Sequence, residues 1–230
     1  MDSSYISFMR DLEARFQRAT GLPDRAHYKI FYCQVHPAPI LTLGINPGGA
    51  PSNTNPDGRT HKDGAIAAAS ASYYENNEHD ILDCEWRENA ALRPLLTRLV
   101  GGDPKSIRTN VVKTNMAFHR SAKKKDIDIE AATAQTAPFL AEIINVVCPK
   151  EIFLTGVSLA VFINRFASSS AILAAPERDP DIKQVIFAAS KVSLKSTGTQ
   201  ALVVQLAHAS QFGWTYDRYE VANRIAVLRA

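Results

Sequence analysis

Near the start of the chain the apolar residues Tyr5, Phe8, Met9, Leu12 and Phe16 recur every three or four positions, the spacing of one buried helix face. Ser3 or Ser4 can cap that helix, and Gly21-Leu22-Pro23 ends it. Tyr28 to Val35 and Pro39 to Leu43 are short β-prone runs split by His36-Pro37-Ala38-Pro39, and the second runs into Gly44-Ile45-Asn46-Pro47-Gly48-Gly49. Residues from about 50 to 80 hold no steady period and predict a long loop, with at most a short helix around Ala65 to Tyr74. A helix is expected around Leu92 to Leu99, stopped by Gly101-Gly102. Ile107 to Lys113 reads as a strand, and Asp126 to Val147 as a helix that Pro138 can kink.

Further on, Glu151 to Leu154 predicts a buried strand and Val157 to Phe166 a helix, while Ser168 to Asp181 reads as a polar, proline-bearing connection. Val185 to Ala188 and Ala201 to Leu206 add two strands, and Trp214 to Leu228 predicts a closing helix. Strands alternating with helices imply an α/β protein, a three-layer α/β/α sandwich around a central, largely parallel sheet. No internal repeat or long linker divides the 230 residues, so one domain over 1–230 is expected, with a helix in 1–25 packed on it.

Composition narrows the class. The chain is 46% hydrophobic and 21% charged, the range of an ordinary globular protein. Cys33, Cys84 and Cys148 lie far apart without metal-binding spacing, which argues against zinc ribbons and disulfide scaffolds and favours a reducing, cytoplasmic setting. No basic flank leads into an apolar run, and no apolar stretch approaches the roughly 18 residues of a membrane span, so neither export nor membrane insertion is expected. A net charge of +3 permits nucleic-acid contact without predicting it.

In open α/β sheets ligands bind beyond the carboxyl ends of the strands. Three segments stand there: Gly44 to Gly48, Thr109 to Asn115, and His208-Ala209-Ser210. Taken singly, each has an ordinary explanation: a proline-glycine turn, a strand-end asparagine, a satisfied histidine. His79, Asp80, Asp83 and Cys84 have no recognised metal spacing, no G-x-S-x-G elbow is present, and the glycine run lacks phosphate-loop and dinucleotide endings.

Taken together and in this order, the segments resemble the uracil-DNA glycosylase superfamily. Gly44-Ile45-Asn46-Pro47-Gly48 is similar to the G-I-N-P-G motif of its mismatch-specific uracil/thymine branch, and His208-Ala209-Ser210 to its second motif, with Ala209 in place of proline. Ile107-Arg108-Thr109-Asn110-Val111-Val112-Lys113 resembles a stretch of the iron–sulfur branch, and Pro138-Phe139-Leu140, Pro149-Lys150 and Phe153 to Gly156 continue the similarity. The cluster cysteines are missing, so no iron–sulfur cluster, metal or other cofactor is expected.

The resemblance implies a monofunctional DNA glycosylase that flips uracil or a related modified pyrimidine out of DNA and hydrolyses its N-glycosidic bond. His208 would donate to the departing base and Asn46 would hold the attacking water, as the catalytic pair. Ile45 and Asn110 would line the base, with Asn110 reading its edge, and Tyr73, Tyr74 or Phe118 would stack on it. Pro47, Gly48 and Ser210 would meet the DNA backbone, with Gln211 and Phe212 as the wedge that fills the vacated stack. Arg120, Lys123, Lys124 and Lys125, with Arg59, His61 and Lys62, would bind phosphates, although a charge run is often only a solvated face.

DNA is the implied partner, single- or double-stranded, and a monomer is expected, with base excision repair or a specialised role on modified foreign DNA as the setting. Two other readings compete: a protein of the same fold that binds a base or nucleic acid with little or no turnover, and a hydrolase of nucleosides or nucleotides. Ala209 and the segment Pro51 to Trp86, which matches no motif, keep the first of these open.

Overall fold

The computed structural model describes residues 3–22, 27–47, 79–83, 87–120 and 127–229. Ser3–Thr20 forms α1, which buries Met9, Leu12 and Phe16 as its spacing predicts. The chain then crosses 27–39 and enters β1, Ile40–Gly44. Asp80–Asp83 is one helical turn, α2, and Arg87–Leu99 is α3. A 3-10 turn over Pro104–Ser106 leads into another helical turn, α4, Ile107–Asn110, and directly into β2, Val111–Asn115.

Helix α5, Ile129–Val147, starts at Asp128, whose carboxylate accepts from the Ala131 N–H, and runs through Pro138 to a left-handed Cys148. There follow β3, Glu151–Thr155, and α6, Leu159–Phe166. Ala167–Arg178 is β4, Val185–Leu194 is β5 and Gln200–Leu206 is β6. Three short helices close the described chain: α7, Ala209–Phe212; α8, Thr215–Arg218; and α9, Val221–Arg229. No helix among the described residues is long and apolar enough to cross a membrane.

The six strands form one sheet in the order β2-β1-β3-β6-β5-β4. β2, β1, β3 and β6 run parallel, and β5 and β4 add antiparallel. Alternate strand residues enter different apolar clusters, as the two-residue period of a pleated strand requires. Leu41, Leu43, Val112, Ile152, Leu154 and Val203 pack with α1, α5 and α6. Ile40, Val111, Phe153, Val204 and Leu206 pack with α3 and α9.

Four predicted elements are corrected. Tyr28 to Val35 is not a strand, and only Tyr28 makes a β-bridge, to His119. The segment is buried in extended coil, with its backbone satisfied piecemeal: Lys29 N–H by the Phe118 carbonyl, Val35 N–H by Met9 Sδ, and Tyr32 C=O by Asp80 N–H. The run Ile107 to Lys113 divides, because α4 takes its first four residues and the strand begins only at Val111. Ser168 to Asp181 is mostly β4, an edge strand exposed along nearly its whole length, which therefore carries no apolar alternation to be read. The single helix expected over Trp214 to Leu228 is broken at Glu220, whose φ is 48°. The expected helix around 65 to 74 lies outside the described residues.

Candidate functional site

Because β2, β1, β3 and β6 are parallel neighbours, their carboxyl ends share one edge. Asn115 ends β2, Gly44 ends β1, Gly156 follows β3, and His208 stands two residues beyond β6. Two glycines govern how the outer pair lean inward. Asn115 is the cross-strand partner of Gly44, and a Cβ on Gly44 would collide with Asn115 Oδ1. A Cβ on Gly156, at φ 74°, would sit 2.8 Å from His208 Cδ2 and 3.0 Å from His208 Cβ. The Asn115 amide therefore rests over the end of β1, and the His208 imidazole over the end of β3. At ordinary strand spacing the outer strands β2 and β6 are roughly 14 Å apart, and the two side chains narrow that gap from either side.

Asn46 sits in the bend after β1. That bend is pinned to the chain beyond β2, where Met116 N–H donates to Gly44 C=O at 2.8 Å and Ala117 N–H to Ile45 C=O at 2.9 Å. Asn46 Nδ2 donates to Pro47 C=O at 3.0 Å and to His119 C=O at 3.4 Å. Its Nδ2 is turned to backbone carbonyls, so a hydrogen bond from water would be accepted by Oδ1. The half-buried His119 ring packs edge-on to Phe16, and burial lowers its pKa against an opposing hydrogen bond to Gln135.

His208 Nδ1 lies 2.9 Å from Ser210 Oγ. With the hydroxyl donating, the imidazole carries its proton on Nε2 and can donate there. α7 begins immediately after His208. A Cβ on Gly213 would collide with Ala91 Cβ, so glycine lets the α7–α8 turn lie directly on α3.

Under Asn115 lies a buried polar cluster on the α3 side of the sheet. Asn115 Nδ2 donates to the Tyr32 hydroxyl at 2.6 Å. Lys113 Nζ donates to Asp80 Oδ2 and to Asn89 Oδ1, both at 2.8 Å, and lies 3.7 Å from Glu88 Oε2. Lys29 Nζ is 3.6 Å from Asp80 Oδ1 and 4.0 Å from the centre of the Tyr32 ring. Burial alone would raise the Asp80 pKa, but the Lys113 and Lys29 charges outweigh it and hold this carboxyl well below the usual range. Burial would lower Lys113, and Asp80 and Glu88 more than offset that. The other Glu88 oxygen, Oε1, is 3.6 Å from where a Gly44 Cβ would stand, so a carboxylate borders the Asn115 position.

The residues expected at the site separate accordingly. Asn46, Ile45, Pro47, His208 and Ser210 lie together along the carboxyl edge, with the exposed Gln211 and half-buried Phe212 following in α7. Asn110 does not join them. It ends α4 at the amino end of β2, where its Nδ2 donates to Ser106 C=O at 2.8 Å, and Asn115 occupies the strand end instead. Phe118 is fully buried, edge-on to Phe16 at 5.3 Å, which removes it as a stacking surface. Arg120 is 5% exposed, and its Nε donates to Tyr28 C=O, so it faces inward rather than toward a phosphate. Gly48, Tyr73, Tyr74, Lys123, Lys124, Lys125, Arg59, His61 and Lys62 lie outside the described residues.

Sequence reasoning missed Tyr32, Glu88 and the role of Asn115. Asn115 stands five residues after Asn110 on a β-prone run, and a strand starting at Val111 would have put it at the edge. Compared with models of known protein families the chain matches none, and a search of curated proteins finds no significant match.

Proposed function

We propose that the chain is a monofunctional DNA glycosylase of the uracil-DNA glycosylase kind, a cytoplasmic monomer with a three-layer α/β/α sandwich. It hydrolyses the N-glycosidic bond of uracil or a related modified pyrimidine. The observation that carries the reading is the placement of Asn46, Asn115 and His208 along one sheet edge, where Gly44 and Gly156 leave room for the last two.

Breaking the bond to a base requires stabilising the departing anion, stabilising positive character on the sugar, and placing a water at the sugar carbon. His208 Nε2–H donates to the pyrimidine carbonyl on which charge grows, and loss of such a donor costs about 2.7–4 kcal/mol in related oxyanion sites. Asn46 Oδ1 accepts from the attacking water. An amide takes no proton, so Asn46 positions that water and does not act as its base. Asn115, at the strand end where Asn110 was expected, reads the base edge; it is 3% exposed with its Nδ2 donating to the Tyr32 hydroxyl, so the base has to open this edge to reach it. Phe212, following Ser210, supports the gap that the flipped base leaves.

The test is base release from matched single-stranded and duplex oligonucleotides carrying uracil, hypoxanthine, xanthine, hydroxymethyluracil or thymine opposite guanine, with abasic sites revealed by alkaline cleavage. Release that Asn46→Ala and His208→Ala each abolish supports the reading. No release from any of these, or release that neither substitution reduces, overturns it.

A further inference from the structure

Beside the strand-end site, a cavity of about 380 Å³ opens between α3 and the α7–α8 turn. Its lining includes Arg87 and Pro94 from α3, Ser210 and Gln211 from α7, and Trp214 and Asp217 from the turn and helix that follow. Its volume falls in the range of small-ligand pockets, about 300–1,000 Å³. Trp214 is 49% exposed, a large indole that the core does not bury. Arg218 lies over that ring, 5.4 Å from its centre. Asp217 is paired with Arg98 at 3.1 Å, whereas Arg87 is exposed and makes no ion pair among the described residues.

We propose that this cavity is a subsite for the nucleotide next to the excised one: its base stacks on Trp214, and its phosphate meets Arg87. The assignment rests on the glycosylase reading, because the cavity continues the His208 site through Ser210 and Gln211. It also specifies the substrate. In a duplex the neighbouring base is stacked and paired, so an indole that takes it selects single-stranded DNA. A stacking platform beside a cation is the general recognition chemistry of single strands, and it tolerates sequence because every base has a π-face.

The chain carries two tryptophans, Trp86 and Trp214, so the difference between the parent protein and Trp214→Phe isolates the Trp214 fluorescence. An undamaged oligothymidylate titrated into the full chain should quench that signal. Trp214→Ala should weaken oligomer binding roughly 5- to 150-fold. Arg87→Ala should reduce the salt slope by about 0.7, one single-strand phosphate.

Absence of a Trp214-dependent signal, or parental affinity in both variants, overturns the subsite. Free thymidine monophosphate bound as tightly as the oligomer overturns it too, since the cavity is then a mononucleotide site. Base release measured on the same preparations separates the two claims. Release that Trp214→Ala leaves unchanged, with no quenching, removes the subsite and keeps the glycosylase. Quenching by oligomer without base release from any substrate overturns both the glycosylase and the subsite beside an excised base, and leaves the cavity as a single-strand-binding site.

Discussion

Replacing Gly156 by alanine isolates the contact that carries His208. Two costs are separable. An L-residue at φ 74° is held in the left-handed region, worth roughly 1–2 kcal/mol. The new methyl also meets His208 Cβ at 3.0 Å and Cδ2 at 2.8 Å. The Cβ belongs to the residue on which α7 starts, so it cannot swing aside as a flexible side-chain tip would, and overpacking of this kind costs about 1–3 kcal/mol. Gly198 supplies the internal control, because it has φ 69° and nothing within 4 Å of its Cβ position. Gly198→Ala should therefore carry the backbone cost alone.

Urea unfolding of the two variants should differ by roughly 1–3 kcal/mol, with Gly156→Ala the less stable. Each kcal/mol corresponds to about 2–4 °C in Tm at this chain length. Base release by folded Gly156→Ala should fall well beyond what its unfolded fraction explains, because the imidazole is displaced. Equal stabilities with parental activity would refute the placement of His208 over Gly156.

Asn115→Ala should lower kcat/KM for base release roughly 5- to 150-fold, the about 1–3 kcal/mol of a lost base-edge contact, whereas Asn110→Ala should leave kcat/KM unchanged and cost only about 1 kcal/mol of stability. His79 donates from Nε2 to Val111 C=O at 2.8 Å in a buried site, and burial lowers its pKa from about 6.5 to about 4. Between those values the unfolded chain binds the proton and the folded one does not, so stability is full above pH 6.5 and falls by about 3 kcal/mol on acidification to pH 4. His79→Gln should flatten that part of the denaturation profile relative to the parent. Lys113→Met should destabilise by about 3 kcal/mol, the low end for a broken buried pair because Lys29 remains 3.6 Å from Asp80. Adding Asp80→Asn should then cost less than the sum of the single changes, read by chemical denaturation as a double-mutant cycle.

Elements with a strong apolar period were legible. α1, α5, β1, β3 and β6 fall where burial of one face or of a short run demanded them. β4 was not, because an exposed edge strand owes its pairing to backbone and leaves no alternation in its side chains. Asn46 and His208 were legible because each follows a buried strand directly. Asn115 was passed over because the resemblance pointed to Asn110, inside the expected strand Ile107 to Lys113; the four residues of α4 look β-prone yet coil first, which moves the strand's start to Val111 and its end from Lys113 to Asn115. The Tyr32, Asp80, Asn89 and Lys113 cluster has no local pattern, since its members come from four separate segments and meet only after the sheet forms.

The position of β6 has a consequence for how the molecule is made. It is the last strand in chain order, yet it lies inside the sheet, between β3 and β5. On a ribosome, β3 and the β4–β5 hairpin emerge with a vacant slot between them, each presenting an unpaired edge until residues 200–206 arrive. Filling that slot joins the parallel and antiparallel halves and brings His208 to Gly156 in the same event. A chain halted before residue 200 thus has two additional unpaired edges and no His208, so translation arrest there should yield aggregates, while a chain that has inserted β6 acquires its continuous sheet and its imidazole together.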